Sequence, residues 1–370
     1  MKNVIRVGLC GFGFMGKTHL YALRNLPFFY DLPYTAEVVG VCTAHPETAQ
    51  AAAETFGIQR VYATEAEMIA DPSVDVIDIC TPNPFHYGTA CAAIRAGKPV
   101  LCEKPLGLSP SESRELAELS RTSGLTCGVV FNNRFLSPIL RARQLISEGR
   151  LGRILSFDFA YRHNSCIDPE RSVGWKQRAT SGGGTLADLG PHVLDLCRLL
   201  CGEVTSVIGK SQIGFPTHRT PSGIWQTDAD EAFYMTISTA EGAVGQVSVS
   251  KLTQGENDGL TFSVFGTEGA MRFDLMEPQY LYYYDPHAPG DVRGYTRIEC
   301  VGRFPSPALP FPSPKAPVGW LRGHVGCMEN YLSAVYAHRE AEPSFADGAA
   351  VDAIIAAARQ SDETGREVHL

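Results

Sequence analysis

The stretch GGGTLADLGPHVLDL, residues 182–196, crowds glycines, Asp188, Pro191 and His192 into the start of an otherwise apolar segment. None of Asp, Pro and His is a favoured interior helix residue, so packing alone does not select them. Their chemistry gives another reason. An imidazole titrates near neutrality and can take or give a proton, and a carboxylate can orient that ring or hold a hydroxyl. Pro lacks the N–H that a first helical turn leaves without a partner in any case, so Pro191 predicts a helix starting near Asp188 with His192 in its first turn. Asp188 can equally serve as the N-cap. The glycines allow the chain to pass close to a ligand.

A second constellation lies near the N-terminus. VIRVGLC is a β-branched run that ends in GFGFMG, with Gly11, Gly13 and Gly16 as G-x-G-x-x-G and Phe14 and Met15 between them, and KTHLYALRNL reads as the following helix. Backbone can approach a pyrophosphate where side chains are missing, and a helix start offers free N–H groups and a positive dipole end.

These elements open an alternating series. Strands EVVGVCT, VDVIDICTP, PVLCEK and TCGVVFN are separated by helices in HPETAQAAAETFG, EAEMIAD, PFHYGTACAAIRAG and SPSESRELAELSRTSG. Such alternation predicts an α/β fold with a doubly wound parallel sheet, a dinucleotide-binding domain over residues 1–132. Loops beginning at Gly11, Thr43, Thr81 and Glu103 then leave the C-terminal strand ends, where ligands bind. Thr43 can bond a ribose hydroxyl. The absence of Arg or Lys beside Thr43, Ala44 and His45 favours NAD and leaves NADP open.

Residues 133–370 form the second expected domain. In DEAFYMTIST, Phe233, Met235 and Ile237 fall on one face and Tyr234, Thr236 and Ser238 on the other, the pattern of an antiparallel sheet covered on one side. The proline-rich RFPSPALPFPSPKAPVGW reads as an ordered excursion anchored by Phe304, Phe311 and Trp320 that walls the substrate pocket. DGAAVDAIIAAARQSDETG reads as a closing helix packed through Val351, Ile354, Ile355 and Ala358.

Composition narrows the function. The 370 residues carry a net charge of -8, which argues against nucleic acid as a partner. No secretory h-region opens the chain and no run approaches the roughly 20 apolar residues of a membrane span, so a soluble, cytoplasmic protein is expected. The eleven cysteines are scattered singly and read as small buried hydrophobes in a reducing compartment. A zinc site from Cys166, Cys197 and Cys201 lacks paired ligand spacing, and no metal is assigned.

GFGFMG, TPNPFH at 81–86, CEKPLG at 102–107 and LADLGPHVLDL at 186–196 together resemble the Gfo/Idh/MocA oxidoreductases, essentially from end to end. The resemblance implies Lys104, Asp188 and His192 as the catalytic group, with the Lys104–Pro105 peptide often cis. Glu103 and the loop through Thr81, Pro82, Asn83 and His86 would lie against the nicotinamide ribose. It makes the second domain α+β, with an open, mostly antiparallel sheet whose exposed face forms a homodimer or homotetramer. Alcohol oxidation asks for the same residue types: His192 as base, Lys104 as the cation that stabilises the oxygen or clamps the cofactor, and Asp188 to orient. Asn132, Arg162, His163, Asn164, Trp175, Arg178 and His324 are the candidate substrate contacts, since ring hydroxyls need dense polar groups and an aromatic covers an apolar sugar face. Arg134 is a further candidate at the end of the nucleotide-binding part.

The expected function is oxidation of a secondary ring hydroxyl of a sugar, anhydrosugar, glycoside or cyclitol with NAD(P), the sugar 3-position being the family-based choice. Two other readings are an NAD-dependent redox-cycling glycosidase and a non-catalytic nucleotide-binding regulator. The intact Lys104, Asp188 and His192 disfavour the last.

Overall fold

A computed structural model describes residues 2–168, 170, 174–220, 223–313, 316 and 319–370. Two compact units emerge. The first takes the chain through Phe135 together with Phe304–Ala316 and Leu321–Asp352, and the rest forms the second. A single division after residue 132 therefore misplaces two returning segments. Apolar contacts explain their return: Phe311 lies 5.8 Å from Phe28 and 5.5 Å from Phe29 between ring centroids, and Val325, Met328, Tyr331 and Leu332 join the first unit's core.

In the first unit the chain runs β1 (Asn3–Cys10), α1 (Phe14–Phe29), β2 (Tyr34–Cys42), α2 (Pro46–Phe56), β3 (Arg60–Tyr62), α3 (Glu65–Ala70), β4 (Val76–Ile79), α4 (His86–Arg95), β5 (Val100–Cys102), α5 (Pro110–Ser123) and β6 (Cys127–Val129). The sheet order is β3-β2-β1-β4-β5-β6, with every pair parallel. β4, β5 and β6 are buried along their whole length, as strands covered on both faces must be. The strand order reverses between β1 and β4, the place where open α/β sheets bind ligands.

The turn from β1 into α1 is tight. Gly11 has φ +90°, and a Cβ there would lie 2.6 Å from the Cys80 carbonyl oxygen; one on Gly16 would lie 2.3 Å from the Gly11 carbonyl oxygen. These contacts draw α1 down onto the ends of β1 and β4.

The second unit contains α6 (Ser137–Ser147), β7 (Ile154–Arg162), α7 (Thr185–Asp188), α8 (Gly190–Cys201), β8 (Val204–Gln212), the hairpin β9 (Thr217–Thr220) and β10 (Gly223–Gln226), β11 (Ala232–Thr239), β12 (Val244–Ser250), β13 (Gly259–Gly266), β14 (Ala270–Asp274), β15 (Tyr280–Tyr284) and β16 (Tyr295–Glu299). Later come α9 (Trp320–Tyr336), which falls to the first unit from Leu321 onward, α10 (Phe345–Thr364), which belongs to the first unit through Asp352 and to the second from Ala353, and β17 (Val368–His369). Nine strands pair in the order β16-β15-β14-β13-β7-β12-β11-β8-β17. Only β7 and β12 run parallel. On β11, Phe233, Met235 and Ile237 are buried and Tyr234 is exposed, matching the alternation in the sequence.

Two features depart from expectation. The helix bearing His192 begins at Gly190, and Asp188 ends the separate short helix α7, so Asp188 is not the N-cap. Pro191 explains the break, because it fits the first positions of a new helix and cannot continue an old one. The segment before Tyr336 is helical, and Phe304 and Phe311 of the proline-rich run are engaged within the first unit; Pro314, Lys315, Pro317 and Val318 of that run lie outside the described residues. All eleven cysteines are buried and free. Among the described residues no helix is long and apolar enough to cross a membrane.

Gly16→Ala sets a Cβ against immovable backbone, and the variant should unfold roughly 5 °C or more below the wild type in a thermal melt.

Candidate active site

The first unit carries the features of a nucleotide site. α1 starts at Gly13 with no side chain capping it and no acidic residue in its first turn, leaving the helix end for an anion. A Cβ on Gly13 would meet nothing within 4 Å. Its glycine is thus not required by the protein's own packing, and the space is available to a ligand. Phe14 is 72% exposed, whereas Met15 packs toward the core. The Thr81 hydroxyl is buried without a hydrogen-bond partner, an orphan that a cofactor oxygen or amide would satisfy. These observations fit a dinucleotide held at the switch point. Thr43 Oγ1 donates to the His45 carbonyl at 2.7 Å, closing the turn into α2.

The loop following β4 is braced from behind. His86 is buried, with Nδ1 2.7 Å from the Pro105 carbonyl and Nε2 2.9 Å from the Thr81 carbonyl. It ties the Thr81–Asn83 turn to the cis Lys104–Pro105 peptide. Asn83 is also buried. Burial pushes the His86 pKa down even though both carbonyls favour its protonated form.

Glu103 is buried beside this loop. One oxygen accepts from His19 Nε2 at 3.1 Å and the other from the Lys104 amide at 3.2 Å. On the opposite edge of the His19 ring, Nδ1 donates to both Asp78 oxygens at 3.0 Å and contacts Cys80 Sγ at 3.0 Å. A neutral imidazole would turn a lone pair toward one of these carboxylates. Burial lowers the His19 pKa, but the charges of Asp78 and its neighbours win and hold it well above the ordinary value. Burial raises Glu103 in turn, and the His19 bond and charge together with Lys104 outweigh that, bringing it to about 2. His19, Asp78 and Cys80 also converge as three metal-ligand types; with a carboxylate on each edge of the ring, the group reads as a buried hydrogen-bond network.

In the second unit, glycines let two segments meet. A Cβ on Gly183 would lie 2.5 Å from the Lys176 carbonyl oxygen, and one on Gly184, at φ +108°, 2.4 Å from Asp230 Oδ1. The glycines thus serve close approach to the protein's own chain, and Asp230 accepts the Leu186 amide at 2.7 Å to start α7. This brings Asp188 between two ammonium groups: Lys176 Nζ at 2.9 Å from Oδ1 and Lys251 Nζ at 2.7 Å from Oδ2. The Lys251 side chain is 5% exposed and that of Lys176 49%.

His192 lies in the first turn of α8, its ring edge-on to Tyr161 at 6.0 Å. Tyr161 meets the His163 ring at 5.0 Å on another side and donates its hydroxyl to Asp258 at 2.6 Å, which also takes His163 Nε2 at 2.9 Å. Burial raises Asp258, and its bonds from His163 and Tyr161 with the nearby His192 charge bring it below the usual carboxylate range.

The remaining candidates divide. Arg162 ends β7 half-buried, Asn164 is exposed, and Trp175 exposes 37% of its surface. Arg178 stacks on Trp225, 4.4 Å from the ring centroid. In the first unit Asn132 is buried and donates to Asn133, His324 is buried with its ring 6.2 Å from that of His19, and Arg134 pairs with Asp347 at 3.2 Å. Sequence reasoning missed His19, Asp78, Tyr161, Lys176, Lys251 and Asp258. Asp78 carried a signal, an acid set among the apolar residues Val76, Ile77 and Ile79 of a strand.

Two outcomes follow from this geometry. Gly13→Ala should leave the thermal midpoint unchanged while weakening NADH binding, read by nicotinamide fluorescence. Lys251→Met strips the partly buried Asp188 carboxylate of its buried partner and should cost about 2 kcal/mol in denaturant unfolding, whereas Lys176→Met, at an exposed ammonium, should cost about 1 kcal/mol or less.

The chain matches the model of an oxidoreductase family with an NAD-binding Rossmann fold over residues 5–131, and that of the GFO/IDH/MocA C-terminal domain over residues 139–272. Levoglucosan dehydrogenase of Pseudarthrobacter phenanthrenivorans is 32% identical, with 98% of each chain covered. D-glucoside 3-dehydrogenase of Escherichia coli is 30% identical over 66% of this chain and 69% of its own. The structure of levoglucosan dehydrogenase in complex with NADH and levoglucosan superposes with a TM-score of 0.95 at 32% identity, covering 99% of both chains. An NAD binding oxidoreductase from Klebsiella pneumoniae gives 0.94 at 28% identity, covering 99% of this chain and 98% of that one. With both halves matched and the nucleotide cradle in place, this chain belongs to the Gfo/Idh/MocA family of NAD-binding oxidoreductases.

Proposed function

We propose that this chain is an NAD-dependent dehydrogenase that oxidises a secondary ring hydroxyl of a sugar, anhydrosugar, glycoside or cyclitol to the ketone, and works reversibly. The end-to-end likeness to levoglucosan dehydrogenase carries this reading. The likeness to D-glucoside 3-dehydrogenase favours the sugar 3-position.

NAD, when bound, accepts the hydride from the carbinol carbon. The chain supplies the rest. His192 takes the hydroxyl proton as the carbon gives up hydride and returns it in the reductive direction, for which an imidazole is suited at neutral pH. Lys104 stabilises negative charge as it develops on the oxygen and polarises the carbonyl on the way back. Asp188, paired with Lys251 and Lys176, orients the imidazole or holds a neighbouring hydroxyl. Trp175 offers an exposed ring for an apolar sugar face, and Asn132, Arg162, His163, Asn164 and His324 offer polar groups for hydroxyls. Arg178, stacked on Trp225, serves better as a wall than as a hydroxyl ligand.

A homo-oligomer accompanies this reading. Val244, Tyr234 and Ile208 are exposed on one face of the adjacent strands β12, β11 and β8, and a second subunit that covers this face would bury them.

Purified protein given NAD or NADP and a panel of sugars, anhydrosugars, glycosides and cyclitols should form reduced nicotinamide with at least one, and NAD should be the better acceptor. Failure in both directions, including with keto-sugars and reduced cofactor, would end the proposal. His192→Ala should lower kcat by about 10²–10⁴-fold and leave NADH affinity unchanged.

A further inference from the structure

We propose that His19 is a positioning residue for the nicotinamide end of the site: clamped between Asp78 and Glu103, its ring keeps Glu103 ionised and fixed, and Glu103 in turn holds the main chain at Lys104. The inference rests on the reading above in one respect, that Glu103 and Lys104 serve the cofactor and the reacting oxygen.

The geometry is closed on every side. From β4 the ring meets Asp78 at 3.0 Å and Cys80 Sγ at 3.0 Å, and from the turn after β5 it meets Glu103 at 3.1 Å. α9 brings the His324 ring to 6.2 Å and places Cys327 within reach of the charges of His19, Glu103, Asp78 and Arg134. Burial pushes both thiols, Cys80 and Cys327, upward, so they remain neutral. The formal charges in the network are then one cation on His19 against the carboxylates of Asp78 and Glu103, with the Lys104 ammonium following next in the chain. His19 is 0% exposed, Asp78 1% and Glu103 5%. No solvent is at hand to replace the imidazolium, and two buried carboxylates without it cannot both stay ionised.

The sign of the pH dependence follows. Glu103, held at about 2 against an ordinary 4.5, is a carboxylate throughout the working range. Its contribution to stability is complete above its unfolded value and fades only as pH falls toward its folded one. His19 works the other way: its contribution is complete below its unfolded value and is lost as pH rises through the raised folded value. Exchanging His19 for a neutral amide adds one uncompensated negative charge, and the carboxylate pair answers by taking up a proton near neutrality.

The test is the pH profile of NADH affinity, read by nicotinamide fluorescence, alongside kcat where a sugar is oxidised. His19→Gln should acquire an acid limb, losing affinity and kcat as pH falls through about 8 to 5, where the wild type is flat. His19→Gln combined with Asp78→Asn removes the surplus charge and should move the limb back toward the wild type even if stability is not restored. Asp78→Asn alone keeps the ring and weakens its hold on the proton, so its loss of affinity at alkaline pH should begin below that of the wild type; this variant serves if His19→Gln does not fold. Profiles of His19→Gln or Asp78→Asn parallel to the wild type, with only a lower thermal midpoint, would overturn the proposal and leave His19 a structural residue. The NADH titration needs no sugar, so failure of the dehydrogenase reading and failure of the His19 role would be told apart.

Discussion

Asp78 and Glu103 are two buried carboxylates that share one imidazole, and the geometry of the nucleotide end depends on that sharing. His19 reaches them because α1 lies close against the ends of β1 and β4, and it lies close because Gly11 and Gly16 carry no side chains. The glycines usually credited with admitting a pyrophosphate therefore also set the distance from α1 to Asp78. One helix brings a start with no side-chain cap and no acidic residue to the nucleotide end and, less than two turns later, a cation to Glu103. The same carboxylate fixes the amide of Lys104, and His86 fixes the carbonyl of Pro105. Main chain on both sides of the cis peptide is thus held by buried side chains.

The second unit solves a similar problem with different groups. Asp188 is held between an almost fully buried lysine and a half-exposed one, and it ends a helix that Asp230 starts. His192 follows after a break imposed by Pro191, in the first turn of the next helix. Tyr161 separates His192 from the His163–Asp258 pair. Asp258 is 40% exposed and Lys251 only 5%, so Lys251 is the charge that solvent cannot substitute.

The nucleotide-binding fold was largely legible in the sequence because its signals are local: a G-x-G-x-x-G turn joins one strand to one helix, and alternation of strands and helices specifies a parallel sheet. The assignment of Lys104, Asp188 and His192 rests on motif resemblance. What escaped is what sequence separation hides. Asp188 pairs with Lys251 across 63 residues, and His19 with Glu103 across 84. Lys251 in VSVSKL looks like any strand-end lysine, and nothing local marks it as buried. The GGG run announced close approach but not what approaches, which proved to be Lys176 and Asp230. The helix over Trp320–Tyr336 was obscured by the proline-rich run before it, and the return of that run to the first unit depends on Phe28, Phe29 and Arg322, long-range contacts that no local pattern specifies.

The most direct test of the account follows the hydride itself. A sugar or anhydrosugar oxidised by the purified protein, prepared with deuterium on one ring carbinol carbon at a time, is incubated with NAD, and the reduced nicotinamide is analysed by mass spectrometry. The account predicts that label from a single secondary carbon, C3, arrives on the nicotinamide. Reduced cofactor free of label from every ring position would contradict it.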